Sequence, residues 1–241
     1  MGTSIAAVLF DLDGTLLDHD TAAVRAATEC WPDADAAFVE RRWTELTDAF
    51  VLRMVQGELT QTEQRRGRAI ALAGELGHPG WDDATADAWL AGYRVRYKAH
   101  WTAYPDVGPA FEELAARGLR FGIVTNGDGA AQRAKLEHIG VLSHVADCVI
   151  ASQEAGVAKP DAAIFAAACA RLGQAPGAVL HVGDRLDTDA RGAAAAGLTG
   201  VWLDRADTGT GSGTGTGIGS AVGVPRVVSL AELAALVDAR R

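Results

Sequence analysis

The sequence predicts an α/β protein: a doubly wound parallel sheet with an α-helical cap domain inserted after its first strand. Three observations carry that expectation. A short, apolar, β-favouring run occupies residues 5–10. Residues 20–100 show helical periodicity and no strand. From Tyr104 onward, short apolar runs alternate with amphipathic ones to the end of the chain. Strands alternating with helices imply parallel pairing through crossovers, with helices on both faces of the sheet. The expected division is an α/β core of residues 1–17 and 102–241 and a helical cap of residues 18–101.

The first strand ends abruptly at Asp11, Leu12, Asp13, Gly14 and Thr15. In an extended chain residues i and i+2 point the same way, so Asp11 and Asp13 are expected to share a face at the strand end. Two adjacent carboxylates repel unless a cation compensates them, and a hard divalent ion with oxygen ligands suits that role. In the inserted block Val39, Trp43, Leu46 and Phe50 form one helical stripe, and Trp89, Tyr93 and Tyr97 another. Trp31, Trp43, Trp81, Trp89 and Trp101 all lie in or beside this block, and read as the core of a small bundle.

In the remainder, Asp106 is expected to cap a helix, followed by a strand over 119–124 and a helix over 129–139. A short strand covers 148–151, and Pro160 is expected to start a helix striped by Ile164, Ala168 and Leu172. A strand at 179–182, a small-residue helix at 187–196 and a strand at 200–203 follow. Residues 208–223 are mostly Gly, Thr and Ser and read as a mobile surface loop. Residues 225–228 read as a last, edge strand, and Ser229 with Glu232 as a capping box opening a C-terminal helix.

At 241 residues, 49% hydrophobic and 22% charged, the composition is that of a globular protein with a substantial core. A net charge of −9 argues against a broad surface for a nucleic-acid polymer or an anionic membrane. Cys30, Cys148 and Cys169 are scattered and odd in number, as in a reduced, cytoplasmic protein. No signal peptide and no bilayer-spanning run is visible. The oligomeric state is not encoded in any pattern of the sequence.

In a doubly wound sheet, ligands bind beyond the carboxyl ends of the strands. Those ends carry Asp11 and Asp13, then Thr125-Asn126-Gly127, then Lys159-Pro160, then Gly183-Asp184 with Asp187 and Asp189 close behind. Asp187 reads as a helix-start residue, and His181 as a satisfied core histidine. Gly127-Asp128-Gly129 continues to Gln132, so a dinucleotide-binding GxGxxG fails.

In order and type, these strand ends resemble the four motifs of the haloacid dehalogenase (HAD) superfamily, whose phosphatases carry DxDGT, a Thr or Ser, a Lys and GDxxxxD. The resemblance spans the chain, including the helical block after the first motif. It implies a Rossmann-like core and an Mg²⁺-dependent phosphatase acting on a small, diffusible phosphate monoester: a nucleotide, a sugar phosphate or a phosphoglycolate-like ester. Asp11 would attack phosphorus to form an aspartyl-phosphate, and Asp13 would serve as acid and then base. Mg²⁺ would be held by Asp11, Asp184 and the backbone carbonyl of Asp13, with Asp189 supporting that shell. Lys159, Thr125 and the N–H of Asn126 would contact the phosphoryl oxygens. The cap would close over the site and exclude water.

Other readings are weaker. A metal-free haloacid dehalogenase of the same family has no need of Asp13. A phosphomutase would carry a histidine early in the cap, where this chain has Ala23. A non-catalytic binding scaffold would be expected to lose an acid or the lysine, and none is lost.

Overall fold

The computed structural model describes residues 4–205, 219–221 and 223–240. The chain forms two compact units, one of Met1–Asp18 with Thr102–Arg241 and one of His19–Trp101. The second unit is all helical: α1 (His19–Glu29), α2 (Ala36–Val55), α3 (Gln61–Glu75) and α4 (Asp83–Ala99). Local chemistry sets the helix starts. Asp35 accepts from the Phe38 N–H, Thr60 and Glu63 form a reciprocal capping box, and Asp82 accepts from the Thr85 N–H. Val39, Trp43 and Leu46 of α2 bury against Leu72 of α3 and Leu90 and Tyr93 of α4, with Phe50 at the margin. Trp89 stacks on Tyr93 at 5.5 Å and meets Trp43 edge-on at 5.5 Å, while Trp81 stacks on Trp31 at 5.7 Å. The tryptophans are therefore packing groups of this unit.

The first unit is built on a seven-stranded sheet: β1 (Ala7–Phe10), β2 (Arg120–Thr125), β3 (Val149–Ala151), β4 (Val179–Gly183), β5 (Thr199–Leu203), β6 (Gly219–Ala221) and β7 (Val224–Val227). The spatial order is β3-β2-β1-β4-β5-β7-β6, with every pairing parallel except β6 against β7. Helices α5 (Val107–Ala115), α6 (Gly129–His138), α7 (Ala162–Leu172) and α8 (Leu233–Asp238) flank it. β1 and β4 are buried at every residue, as continuous apolar strands between two helical layers should be. Strand order reverses at β1, which lies between β2 and β4 with Phe10 beside both Ile123 and Val182. The residue after β1 thus emerges at the crevice where such sheets bind ligands.

Several local expectations are corrected. Pro160 does not start α7; the helix begins at Ala162, where the Asp161 carboxylate accepts from the Ala163 N–H at 2.8 Å. Asp106 precedes α5 but makes no side-chain cap there; its carboxylate serves Arg205, Ser229 and Leu230 instead. The helix expected over 187–196 opens with a π-helical turn, Leu186–Arg191, before a short α-helical turn, Gly192–Ala195. β7 is not an edge strand among the described residues, because β6, inside the stretch read as a loop, pairs with it. Its ladder to β5 begins at Arg226, one residue past Pro225, so the missing proline N–H is outside that ladder. Residues 206–218 and 222 lie outside the described part. The Ser229–Glu232 capping box is present, but it opens a 3₁₀ turn, Leu230–Glu232, that leads into α8.

Candidate active site

Asp11 is the first residue beyond β1, and its N–H still donates to the Val182 carbonyl at 2.9 Å. That bond registers its side chain between the ends of β2 and β4. Its Oδ1 meets the Lys159 ammonium at 2.5 Å, and the same Nζ lies 2.6 Å from Asp189 Oδ1. Lys159 and Asp189 are almost fully buried. A buried lysine is tolerable only when paired, and here two carboxylates pair it. Burial alone would lower the Lys159 pKa, but Asp11 and Asp189 outweigh it and hold the ammonium above its usual value. Asp189 is likewise driven up by burial, yet Lys159 brings it well below the usual carboxylate range. Its Oδ2 accepts from the Arg185 N–H at 3.0 Å.

Asp184 follows β4. Thr15 Oγ1 accepts from the Asp184 N–H at 3.1 Å and lies 3.4 Å from Asp11 Oδ2 and 3.5 Å from Asp184 Oδ1. Thr15 thus sits between the two acids, while Trp202 Nε1 donates to the Asp184 carbonyl at 3.0 Å. Gly14 is required twice over. Its φ of 85° is left-handed, and a β-carbon there would stand 2.6 Å from Asp184 Oδ2. Arg205 steadies this loop by donating from Nη2 to the Thr15 carbonyl at 2.7 Å.

Asp11, Asp184 and Asp189 each offer an oxygen within 4.8 Å of the others. Asp11 and Asp189 share the Lys159 ammonium, so the three acids together carry more charge than that one cation compensates. Burial, then the neighbouring acids, push Asp11 up to about 6 and Asp184 up to about 8, with Lys159 opposing both. A pair of hard oxygen donors held in this way, Asp11 buried and Asp184 half-buried, fits a divalent cation such as Mg²⁺.

The remaining strand-end residues fall into place around this cluster. Thr125, at the end of β2, is buried and accepts from Gln132 Nε2 at 2.7 Å. The Asn126 side chain grips the Lys159 backbone, accepting from its N–H at 2.9 Å and donating to its carbonyl at 3.2 Å. Asn126 thereby fixes the backbone that carries the lysine. Asp187 is exposed and paired to Arg191, as a helix-start residue would be.

Two expectations are not met. Asp13 does not join the carboxylate cluster; both its oxygens lie 2.7 Å from Lys135 Nζ, and Gln132 Nε2 donates to Oδ2 at 3.1 Å. The cation that compensates Asp13 is a lysine. His181 is fully buried but not satisfied: neither ring nitrogen makes a hydrogen bond, and Nε2 stands 3.6 Å from Asp189 Oδ1. Burial holds this imidazole below its usual pKa. Lys135, Gln132, Thr15 and Arg205 were not singled out from the sequence as site residues. Only the Gln132–Lys135 spacing of three, one face of a helix, hinted that both could point the same way.

Comparison with known proteins agrees with this geometry. The family model for haloacid dehalogenase-like hydrolases matches residues 5–197. The chain belongs to that family. It is 34% identical over 203 residues to a glyceraldehyde 3-phosphate phosphatase of Methanopyrus kandleri, covering 83% of this chain and 84% of that protein. It is 33% identical over 211 residues to a ribulose-1,5-bisphosphate 5-phosphatase of Halopiger xanaduensis, covering 82% and 84%. The fold superposes on a HAD-hydrolase, YfnB of Bacillus subtilis, with a TM-score of 0.81 at 21% identity, over 98% of this chain and all of that one. The protein is therefore an enzyme of the HAD-like hydrolase family.

Proposed function

We propose that the protein is an Mg²⁺-dependent phosphatase of small, diffusible phosphate monoesters that works through an aspartyl-phosphate on Asp11. The observation that carries this reading is the setting of Asp11 at the switch point of the sheet, between the Lys159 ammonium and the second acid, Asp184. An Asp11 pKa of about 6 leaves its carboxylate ionised at neutral pH, as a nucleophile must be.

In the first step an Asp11 oxygen forms a bond to phosphorus while the ester oxygen leaves, taking its proton from Asp13. In the second, Asp13 removes a proton from water, the hydroxide oxygen bonds to phosphorus, and the carboxylate of Asp11 is released with inorganic phosphate. Lys159 steadies the transferring oxygens, and the Thr125 hydroxyl and Asn126 N–H donate to them. Asp11 and Asp184, with the carbonyl of Asp13, would hold Mg²⁺, and Asp189 would orient that set through Lys159. The bound ion would supply charge neutralisation and a fixed orientation for the phosphoryl group.

A dehalogenase reading leaves Asp13 and the acidic pair without a task, and Ala23 disfavours a mutase. The names of the two phosphatase relatives support starting a substrate panel at sugar phosphates, with nucleotide and phosphoglycolate-like esters beside them. The scattered free cysteines are in keeping with a cytoplasmic setting.

The test is p-nitrophenyl phosphate hydrolysis with and without Mg²⁺, beside Asp11→Asn. Turnover that needs the metal and vanishes in the variant is the expected result. A wild type silent on this ester and on the whole metabolite panel would replace the phosphatase by a binding scaffold.

A further inference from the structure

Asp13 must present its carboxylate first to a leaving oxygen and then to water, so its orientation matters as much as its acidity. The structure holds it from α6. Both oxygens meet Lys135 Nζ at 2.7 Å, and Oδ2 also accepts from Gln132 Nε2 at 3.1 Å. Lys135 is only 8% exposed and Gln132 3%, although both residue types ordinarily face water. Both stand on α6, three residues apart and on one face.

A partly buried ion pair is a poor device for stability alone, because desolvation and solvent screening consume most of the Coulombic gain. What this one supplies is direction. The Gln132 amide also donates to Thr125 Oγ1 at 2.7 Å and lies 3.4 Å from the Asn126 carbonyl. A hydroxyl oxygen that accepts from Gln132 keeps its own proton for another acceptor, which at Thr125 is the phosphoryl group of the proposed reaction. One turn of α6 therefore sets both the acid/base carboxylate and the phosphate-contacting hydroxyl in a common frame.

We infer that Lys135 and Gln132 are positioning residues for Asp13, an inference that rests on the phosphatase reading above. Lys135 acts on the steps in which Asp13 moves a proton, and Gln132 on those steps and also on the Thr125 contact to the phosphoryl group.

The test compares kcat/KM for phenyl phosphate and p-nitrophenyl phosphate, whose leaving groups differ in their need for a proton. Lys135→Met should lower kcat/KM on phenyl phosphate by roughly 10- to 100-fold, a part of the roughly 100- to 10,000-fold that general acid–base catalysis contributes, and several-fold less on p-nitrophenyl phosphate. KM should stay within about 3-fold of wild type, since the interaction acts beyond ground-state binding. Gln132→Met, an unbranched side chain of similar length with no N–H donor, should show the same leaving-group dependence at smaller size on top of an equal loss on both esters from the Thr125 contact, and serves if Lys135→Met does not fold. In an Asp13→Asn background, Lys135→Met should change the residual p-nitrophenyl phosphate turnover by less than about 2-fold, because the carboxylate it orients is gone. Equal losses on the two esters, or an undiminished loss in the Asp13→Asn background, would overturn the inference while leaving the phosphatase reading standing. A wild type inactive on both esters and on the metabolite panel would end both.

Discussion

Asp184 shows what a single residue can report about this site. Its carboxyl is pushed up to about 8 by burial and by Asp11 and Asp189, against 3.8 for an ordinary aspartate. Between those values the folded, metal-free protein binds a proton that the unfolded chain does not. Stability of the metal-free protein should therefore fall as pH rises from 3.8 towards about 8, the sign expected of a raised carboxyl. A divalent cation needs the ionised form, so Mg²⁺ binding should expel a proton at neutral pH and tighten as pH rises. Calorimetric titration of Mg²⁺ in two buffers of different ionisation enthalpy measures that proton directly. A heat independent of buffer would show that Asp184 is already ionised in the metal-free protein.

At the scale of the element, the loops and helix ends matter more than the strands. The Asp106 carboxylate receives Arg205 at 3.0 Å, the Ser229 hydroxyl at 2.8 Å and the Leu230 N–H at 2.9 Å, joining the start of α5 to the last turns of the chain. Arg205 in turn lies 3.8 Å over the Tyr104 ring and holds the Thr15 carbonyl of the β1 loop. Burial opposes ionisation of Asp106, but these donors win and hold its pKa below 3.8. The stabilisation is therefore present above the ordinary carboxylate range and lost as pH falls through the depressed value. Asp106→Asn should cost about 1.5–3 kcal/mol at pH 7, the range for hydrogen bonds to a charged group. The difference in urea midpoint from wild type should shrink as pH is lowered through about 4 and below. A difference that persists unchanged in acid would assign it to shape and not to charge. This network also marks where sequence reading stops. Asp11 and Asp184 stand out in the sequence because each follows an apolar run, and a parallel sheet collects strand ends at one edge, whereas Lys159 stands eight residues beyond its strand and is read there only through the family resemblance. Asp106 looks like a helix cap because aspartate before a helix usually is one; its actual partners lie 99 to 124 residues away. Lys135 and Gln132 fall in the helix read over 129–139, and nothing local says that their face of α6 turns toward Asp13.

For the whole molecule, the two units are stabilised by separate sets of side chains. One cluster gathers Ala7, Leu9, Val124, Ile164, Phe165 and Val179 around the sheet; the other gathers Val39, Trp43, Leu72, Leu90 and Tyr93 among the helices. Among the described residues, none is common to these two clusters. The helical block was legible as a separate body because its period changes from that of strands to that of helices just after Asp18, and returns at Tyr104. Trp31, Trp43, Trp81, Trp89 and Trp101 all belong to the helical unit, with Trp202 in the other, so tryptophan emission reports mainly on one core. Leu72 is fully buried in that core, and Leu72→Ala should remove about 2–5 kcal/mol from it, lowering the emission-detected unfolding midpoint. Ile164, equally buried under the sheet, belongs to the other core, and Ile164→Ala should leave the emission midpoint near that of wild type. Bodies with separate cores need not melt as one, so the two variants should separate the emission transition from the calorimetric one in opposite senses. Coincident shifts of both probes in both variants would show that the chain unfolds as a single cooperative unit in spite of its two cores.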